Sequence, residues 1–320
     1  GTESRFERSQ KLSQEERQTP EPAETQTPIR AAILGDGAWG TALALTLHDN
    51  GPSVRIWTAF PENAEAMNRD HENAKFLPGV PLPEDILCTP DMAKAVDGAD
   101  MLVLATPSQY MRPVLRRLKP LLRQGVVIVD IAKGIETGSL LRMSELCEQE
   151  LGRTRYVALS GPSHAEEVSR RIPTLIVSAS ADPKAAKFVQ TVFMNDCFRV
   201  YTSGDVVGVE LGGALKNIYA IAAGMLDGAG MGDNSKAALM TRAIAEMARL
   251  GRKLGGRTET FSGLSGVGDL IVTCTSRHSR NRHVGEELGK GRKLDDVIRS
   301  MNMVVAEGGK TCESAYALAE

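Results

Sequence analysis

The sequence predicts an α/β fold, a doubly wound Rossmann-type parallel sheet covered by helices on both faces, followed by a second, all-α domain. Three observations carry this. Short apolar runs recur from residue 29 to about residue 202, and most are continuous rather than alternating, as in strands buried on both faces. Helix-like stretches separate these runs, the alternation of a parallel α/β layer. Beyond residue 203 the strand-like runs stop, and only helical periodicity continues.

The elements follow in order. Residues 1–28 are rich in Glu, Gln, Arg, Ser, Thr and Pro, with Phe6 and Leu12 the large apolar side chains. Such a segment buries too little to offset its ordering entropy, and it reads as a disordered polar arm. Strands are expected at residues 29–34, 54–57, 101–105, 126–131, 156–159 and 174–178, with an edge strand at 198–202. Helices are expected at 39–50, 61–69 and 140–151, and in the second domain at 206–226, 236–254 and 282–289. Glycine-rich loops at 227–233 and 263–268 interrupt the latter. This divides the chain into the arm 1–28, a dinucleotide-binding domain 29–203 and a helical domain 204–320.

Composition narrows the function classes. Hydrophobic residues make up 42% and charged residues 24%, enough apolar material for a sizeable core. A net charge of -2 leaves no broad basic surface for nucleic acid or an anionic membrane. No apolar stretch is read as reaching the roughly 18 residues of a membrane span, and no signal peptide opens the sequence. The five cysteines lack metal-ligand spacing, so no metal is expected, and reduced thiols in the cytosol are.

Gly35-Asp36-Gly37-Ala38-Trp39-Gly40 is a G-x-G-x-x-G sequence between the first predicted strand and the first predicted helix. That context gives it meaning: Gly35 permits the tight turn, Gly37 lets backbone approach a pyrophosphate, and Gly40 lets helix pack on strand. The helix N-terminus supplies free N–H groups for the phosphates. A Rossmann-type domain binding NAD or NADP is the reading. After the second strand the chain reads Trp57-Thr58-Ala59-Phe60-Pro61-Glu62, with neither the acid that favours NAD nor the arginine that favours NADP at the strand end. Arg55 lies inside the strand. Phe60 stacks on adenine or packs in the fold, and the choice of cofactor stays open.

Hydride transfer to a ketone also needs a proton donor, carbonyl-polarising groups and a substrate handle. Lys133 follows a buried strand, at the carboxyl ends of the strands where ligands bind, with a solvated loop lysine as the plain alternative. Gly161 and Ser163 lie in the turn after the next strand, where a capping serine is the plain alternative. His164 there is a candidate general base, with an exposed or capping histidine as the preferred reading. Lys216 and Asn217 interrupt an apolar helix just after Gly212 and Gly213, and a lysine among apolar neighbours has its pKa lowered toward useful values. Asp269 is a candidate partner for such a lysine, and Arg280 a candidate phosphate clamp. Helix capping and a solvated arginine are their alternatives.

Taken together, GDGAWGTALA, KFLPGVPLP, IAKGIE, LSGPSHAEEV, FRVYTSGDVVGVELGGALKN, GVGDLIVTCTSRHSRN and VAEG closely resemble the bacterial-type NAD(P)-dependent glycerol-3-phosphate dehydrogenase family, in its order and spacing. The resemblance implies that Lys216 exchanges the proton at C2 of dihydroxyacetone phosphate, that Lys133 contacts substrate and nicotinamide, and that Asp269 orients the catalytic lysine. It implies that Gly161, Ser163, Ser279, Arg280 and Asn281 line the substrate site. It adds Ala38, Trp39, Ala165, Val305 and Glu307 to the cofactor contacts, with Arg280 also near the cofactor. The product, glycerol 3-phosphate, feeds phospholipid synthesis. The implied partner is a small phosphorylated substrate, in the cytoplasm, with a homodimer as a compatible assembly. Family members carry arginine where this chain has Thr58-Ala59-Phe60, so no NADP preference carries over. The family pattern continues in helix beyond the equivalent of Glu320 and has no arm like residues 1–28. Two other readings stand beside it: a hydroxy-acid dehydrogenase of related build, and a catalytically silent nucleotide-binding redox sensor.

Overall fold

The structure, a computed structural model, describes residues 28–301 and 307–320. The arm, apart from residue 28, and Val305 lie outside the described residues.

Continuous apolar runs do become strands, and those at the centre of the sheet are buried on both faces. In chain order these are β1 (Arg30–Leu34), β2 (Ser53–Trp57), β3 (Leu87–Thr89), β4 (Met101–Leu104), β5 (Val127–Asp130), β6 (Arg155–Ser160), β7 (Thr174–Ala179) and β8 (Phe198–Ser203). Their spatial order is β3-β2-β1-β4-β5-β6-β7-β8, so the order reverses between β1 and β4. In β1, Ala31 and Ile33 enter one core while Ala32 and Leu34 enter another on the opposite face. Helices α1 (Ala38–Asp49), α2 (Pro61–Asp70), α3 (Met92–Val96), α4 (Met111–Leu118), α5 (Met143–Leu151), α6 (Ala165–Val168) and α7 (Pro183–Phe193) accompany this sheet.

Two details correct the sequence reading. Strand β3 was not expected; it is three residues long, flanked by prolines, and sits at the sheet edge, too short to show a period. The sheet is also not wholly parallel, because β6 and β7 pair antiparallel. A parallel return needs a long crossover, whereas residues 161–173 hold only the single turn α6. Strand direction leaves no mark in an apolar run.

The second part is helical: α8 (Val206–Gly228), α9 (Gly232–Lys253), α10 (Thr258–Phe261), α11 (Asp269–Thr275), α12 (Arg280–Gly289), α13 (Leu294–Ser300) and α14 (Glu307–Ala319). The Asp205 carboxylate caps α8 by accepting from the Gly208 amide at 2.9 Å. Helix α8 corrects a further expectation, since by length and composition it would suffice to cross a membrane. Here it is the central core helix, with Leu211, Leu215 and Ala220 packed against Met247, Phe261 and Leu270. Helix α12 crosses it at backbone contact. A Cβ on Gly224 would stand 1.9 Å from the Arg282 carbonyl oxygen, and one on Gly285 1.9 Å from that of Ile221. This contact brings the N-terminus of α12 to the same cleft as Lys216.

Candidate active site

The first loop lies at the point where strand order reverses. Gly35 has φ +132°, and its amide donates to the Trp57 carbonyl at 2.9 Å, so the turn is held to the end of β2. A Cβ there would meet the Ala105 carbonyl oxygen at 2.6 Å, and one on Gly40 would meet the Ala105 Cβ at 2.8 Å. At Gly37 a Cβ would meet nothing within 4 Å, because that backbone faces an open cleft. Helix α1 begins there with no side chain capping its first amides, which leaves them for an anion. The Trp39 indole N–H is enclosed without a protein partner. A dinucleotide pyrophosphate fits this loop.

The cleft, about 1130 Å³ including its open mouth, runs along the carboxyl ends of β1, β4, β5 and β6 and is closed by α8, α11 and α12. Its chemistry centres on a buried carboxylate. Asp269, the first residue of α11, holds the Lys133 ammonium on Oδ2 at 2.9 Å and the Lys216 ammonium on Oδ1. Lys133 Nζ also donates to the Gly161 carbonyl at 3.1 Å, and Lys216 Nζ to Thr273 Oγ1 at 2.8 Å. Asn217 Nδ2 donates to the Lys133 carbonyl at 3.1 Å, tying the loop after β5 to α8. Asp269 is thus no simple cap.

The glycines before Lys216 are explained by close approach. A Cβ on Gly212 would stand 2.4 Å from the Ser265 carbonyl oxygen, and one on Gly213 2.8 Å from Ser160 Oγ. Larger residues would push α8 off the sheet and off the π-helical turn Leu264–Gly268 that leads into Asp269.

These contacts set the protonation states. Burial pushes the Lys216 ammonium down to about 8, with Asp269 opposing that drop and Lys133 adding to it. Burial works to raise the Asp269 carboxyl, but Lys133 and then Lys216 overcome it and hold the group below its ordinary value. Burial, and then the charges of Lys216 and Lys133, also lower His164. A lysine tuned near 8 is suited to give and take a proton close to neutral pH.

Of the residues singled out in the sequence, Gly37, Ala38, Trp39, Gly40, Lys133, Ser163, Ala165, Lys216, Asp269, Ser279, Arg280 and Asn281 all line this one cleft. Gly35 lies beneath it as the turn. Gly161 contributes its carbonyl, which accepts from both Lys133 and Ser163 Oγ, the latter at 2.9 Å. Ser279 caps α12, accepting from the Arg282 amide at 3.2 Å, and the exposed Arg280 makes no ion pair among the described residues. Asn281 Oδ1 accepts from the Gly308 amide at 3.1 Å. Phe60 stands outside the cleft lining, 44% exposed, with the Lys75 ammonium 4.9 Å from its ring centre. Glu307 opens α14.

Among the cleft residues that the sequence reading left unassigned are Thr273 and His164. Thr273 sits one turn after Asp269 in an apolar run, a spacing that places both on one helix face. His164, read as capping or exposed, instead lines the cleft with Nε2 enclosed and unpartnered. Its sequence signal was its place between Ser163 and the start of α6.

A glycine loop at a topological switch point, opening on the same cleft as a tuned lysine from a helical second domain, defines a two-domain dehydrogenase that uses a nicotinamide dinucleotide. Comparison with known proteins agrees. Residues 30–186 match the model of the NAD-dependent glycerol-3-phosphate dehydrogenase N-terminus, and residues 205–320 that of its C-terminus. The chain is 54% identical over 294 residues to glycerol-3-phosphate dehydrogenase (NAD(P)+) of Bacillus velezensis, covering 91% of this chain and 85% of that protein. It is 53% identical over 288 residues to the Moorella thermoacetica protein of the same name, covering 90% and 85%. A crystal structure of glycerol-3-phosphate dehydrogenase from Coxiella burnetii superposes with a TM-score of 0.88 at 38% identity, covering 91% of this chain and 89% of that one. The chain belongs to the NAD-dependent glycerol-3-phosphate dehydrogenase family.

Proposed function

We propose that this chain interconverts dihydroxyacetone phosphate and sn-glycerol 3-phosphate with NAD(H) or NADP(H), and that Lys216 is its acid and base. The observation that carries this is the convergence of Lys216 and Lys133 on the buried Asp269, beside the glycine loop. When bound, the nicotinamide supplies or accepts the hydride at substrate C2.

The chain's own residues do the rest. In reduction the Lys216 ammonium protonates the oxygen at C2 as negative charge develops there; in oxidation the neutral amine removes that proton. Lys133, 15% exposed where Lys216 is 6%, is the charge that polarises the carbonyl from the open side. Asp269 keeps both ammoniums aimed and offsets part of their charge. Arg280, with Ser279 and Asn281 at the N-terminus of α12, holds the phosphate; Ser163 and the Gly161 backbone hold the remaining oxygens. Gly35, Gly37, Ala38, Trp39, Gly40 and Ala165 hold the dinucleotide, with Phe60, Val305 and Glu307 completing its site.

In this reading residues 29–203 carry the cofactor and residues 204–320 supply the acid/base and the phosphate handle. The enzyme acts in the cytosol on a small phosphorylated ketone, delivers glycerol 3-phosphate to phospholipid synthesis, and is compatible with a homodimer.

The test is oxidation of NADH and of NADPH with dihydroxyacetone phosphate, followed at the nicotinamide absorbance band. Turnover with the phosphorylated ketone, and none with dihydroxyacetone itself, is expected. Faster turnover of an unphosphorylated keto acid would overturn the substrate assignment.

A further inference from the structure

Strand β2 ends without the charged residue that ordinarily tells NAD from NADP, yet a carboxylate stands at that place. It comes from the glycine loop. Thr58, fully buried just beyond β2, donates its hydroxyl to Asp36 Oδ2 at 2.7 Å. Asn63, in the first turn of α2, donates its amide to the same oxygen. The Asp36 main chain is fixed as well, its carbonyl accepting from Asn73 Nδ2 at 2.7 Å. The middle residue of the G-x-G turn is therefore swung toward the end of β2 and locked there by residues of two other segments.

The remaining oxygen is the informative one. Both donors converge on Oδ2; among the described residues none donates to Oδ1, and Oδ1 is not among the enclosed unpartnered atoms. The side chain belongs to a residue only 7% exposed and is held through Oδ2, which leaves Oδ1 as the acceptor that no described side chain engages. In this fold the adenosine ribose lies beyond the end of β2, where a carboxylate accepts from its hydroxyls. A 2′-phosphate would instead bring negative charge against a fixed carboxylate.

Nearby cations do not reverse this balance. Arg55 points away, its guanidinium donating to the Lys94 and Asp97 carbonyls at 2.7 and 3.1 Å. Lys75 lies over the Phe60 and Phe76 rings, 4.9 and 5.0 Å from their centres, at an exposed rim. A mobile surface ammonium is worth less to a phosphate than a fixed arginine fork.

We propose that Asp36, oriented by Thr58 and Asn63, is the ribose-reading residue of this chain and makes it select NAD over NADP. The proposal rests on the cofactor reading given above and goes beyond it, because it assigns the choice to one residue of the glycine loop.

Equilibrium calorimetry on the full chain, titrated separately with NADH and NADPH, tests this without relying on turnover. NADH should bind at least about tenfold more tightly than NADPH, a difference of about 1.4 kcal/mol. Asp36→Asn keeps an oxygen for Thr58 and Asn63 but turns the other acceptor into a donor; it should weaken NADH and move the two dissociation constants to within about threefold. Lys75→Ala should leave the NADH constant in place. Should the unaltered protein bind NADPH as tightly as NADH, the proposal is overturned, with no variant needed. An Asp36→Asn protein that keeps the full NADH preference overturns it too. If neither dinucleotide binds, the cofactor reading itself fails and takes this proposal with it, whereas equal binding of both removes this proposal alone.

Discussion

The two ends of the cleft are built on opposite plans. The pyrophosphate loop of the cofactor end is one stretch of chain, β1, the turn and α1, and its fit comes from backbone rather than from gathered charges. The chemical end gathers Lys133, Lys216 and Asp269 from three distant segments, with 136 residues separating the two partners of one ion pair and 53 those of the other. The lesson is that the cofactor end is secured by sterics and the chemical end by electrostatic balance, so the two should fail differently.

The largest expected effect tests that balance. Asp269→Ala strands one wholly buried ammonium and one mostly buried one, and breaking a buried pair this way costs about 3–5 kcal/mol. Thermal unfolding should show a marked drop in midpoint, together with near-complete loss of turnover. A variant as stable as the parent would mean that the lysines are not held by this carboxylate.

Next comes Lys216→Ala, which should lower turnover by about 100-fold or more, the usual worth of a general acid/base, while NADH binding at the other end stays within about twofold. Loss of cofactor binding in this variant would break the contrast between the ends.

The pH dependence is a sharper probe of the same lysine. Reduction needs the protonated amine, so its rate should fall as pH rises through about 8; oxidation needs the neutral amine and should rise over the same interval. The two profiles should bend in opposite directions there, and a flat pair of profiles between pH 7 and 9 would exclude Lys216 as the titrating group.

Smaller is the steric test at the cofactor end. Gly40→Ala forces a Cβ to within 2.8 Å of the Ala105 Cβ and 2.9 Å of the Gly35 carbonyl oxygen, overpacking worth about 1–3 kcal/mol. Cofactor affinity should fall several-fold in titration, with the pH profile of residual turnover unmoved.

Much of this was legible beforehand, for stated reasons. The runs that became β1, β2, β4, β5, β6 and β7 announce burial on two faces, and the glycine spacing announces its turn, because both are local. Lys216 stood out since an ammonium among apolar neighbours is anomalous without a partner. The strand β3 and the reversal at β7 were not legible: one is too short to show a period, and strand direction is set by a connection rather than by the strand.

Sequence by itself therefore determined the α/β class with its helical second part, the dinucleotide loop and the candidates for the chemistry, since each rests on local pattern or on a residue type out of place. Tertiary structure alone decided that one carboxylate serves two lysines, that Gly224 and Gly285 bring α12 onto α8, and that Asp36 stands at the end of β2. Those depend on distances between segments far apart in the chain, which burial and close packing fix and which no local pattern records.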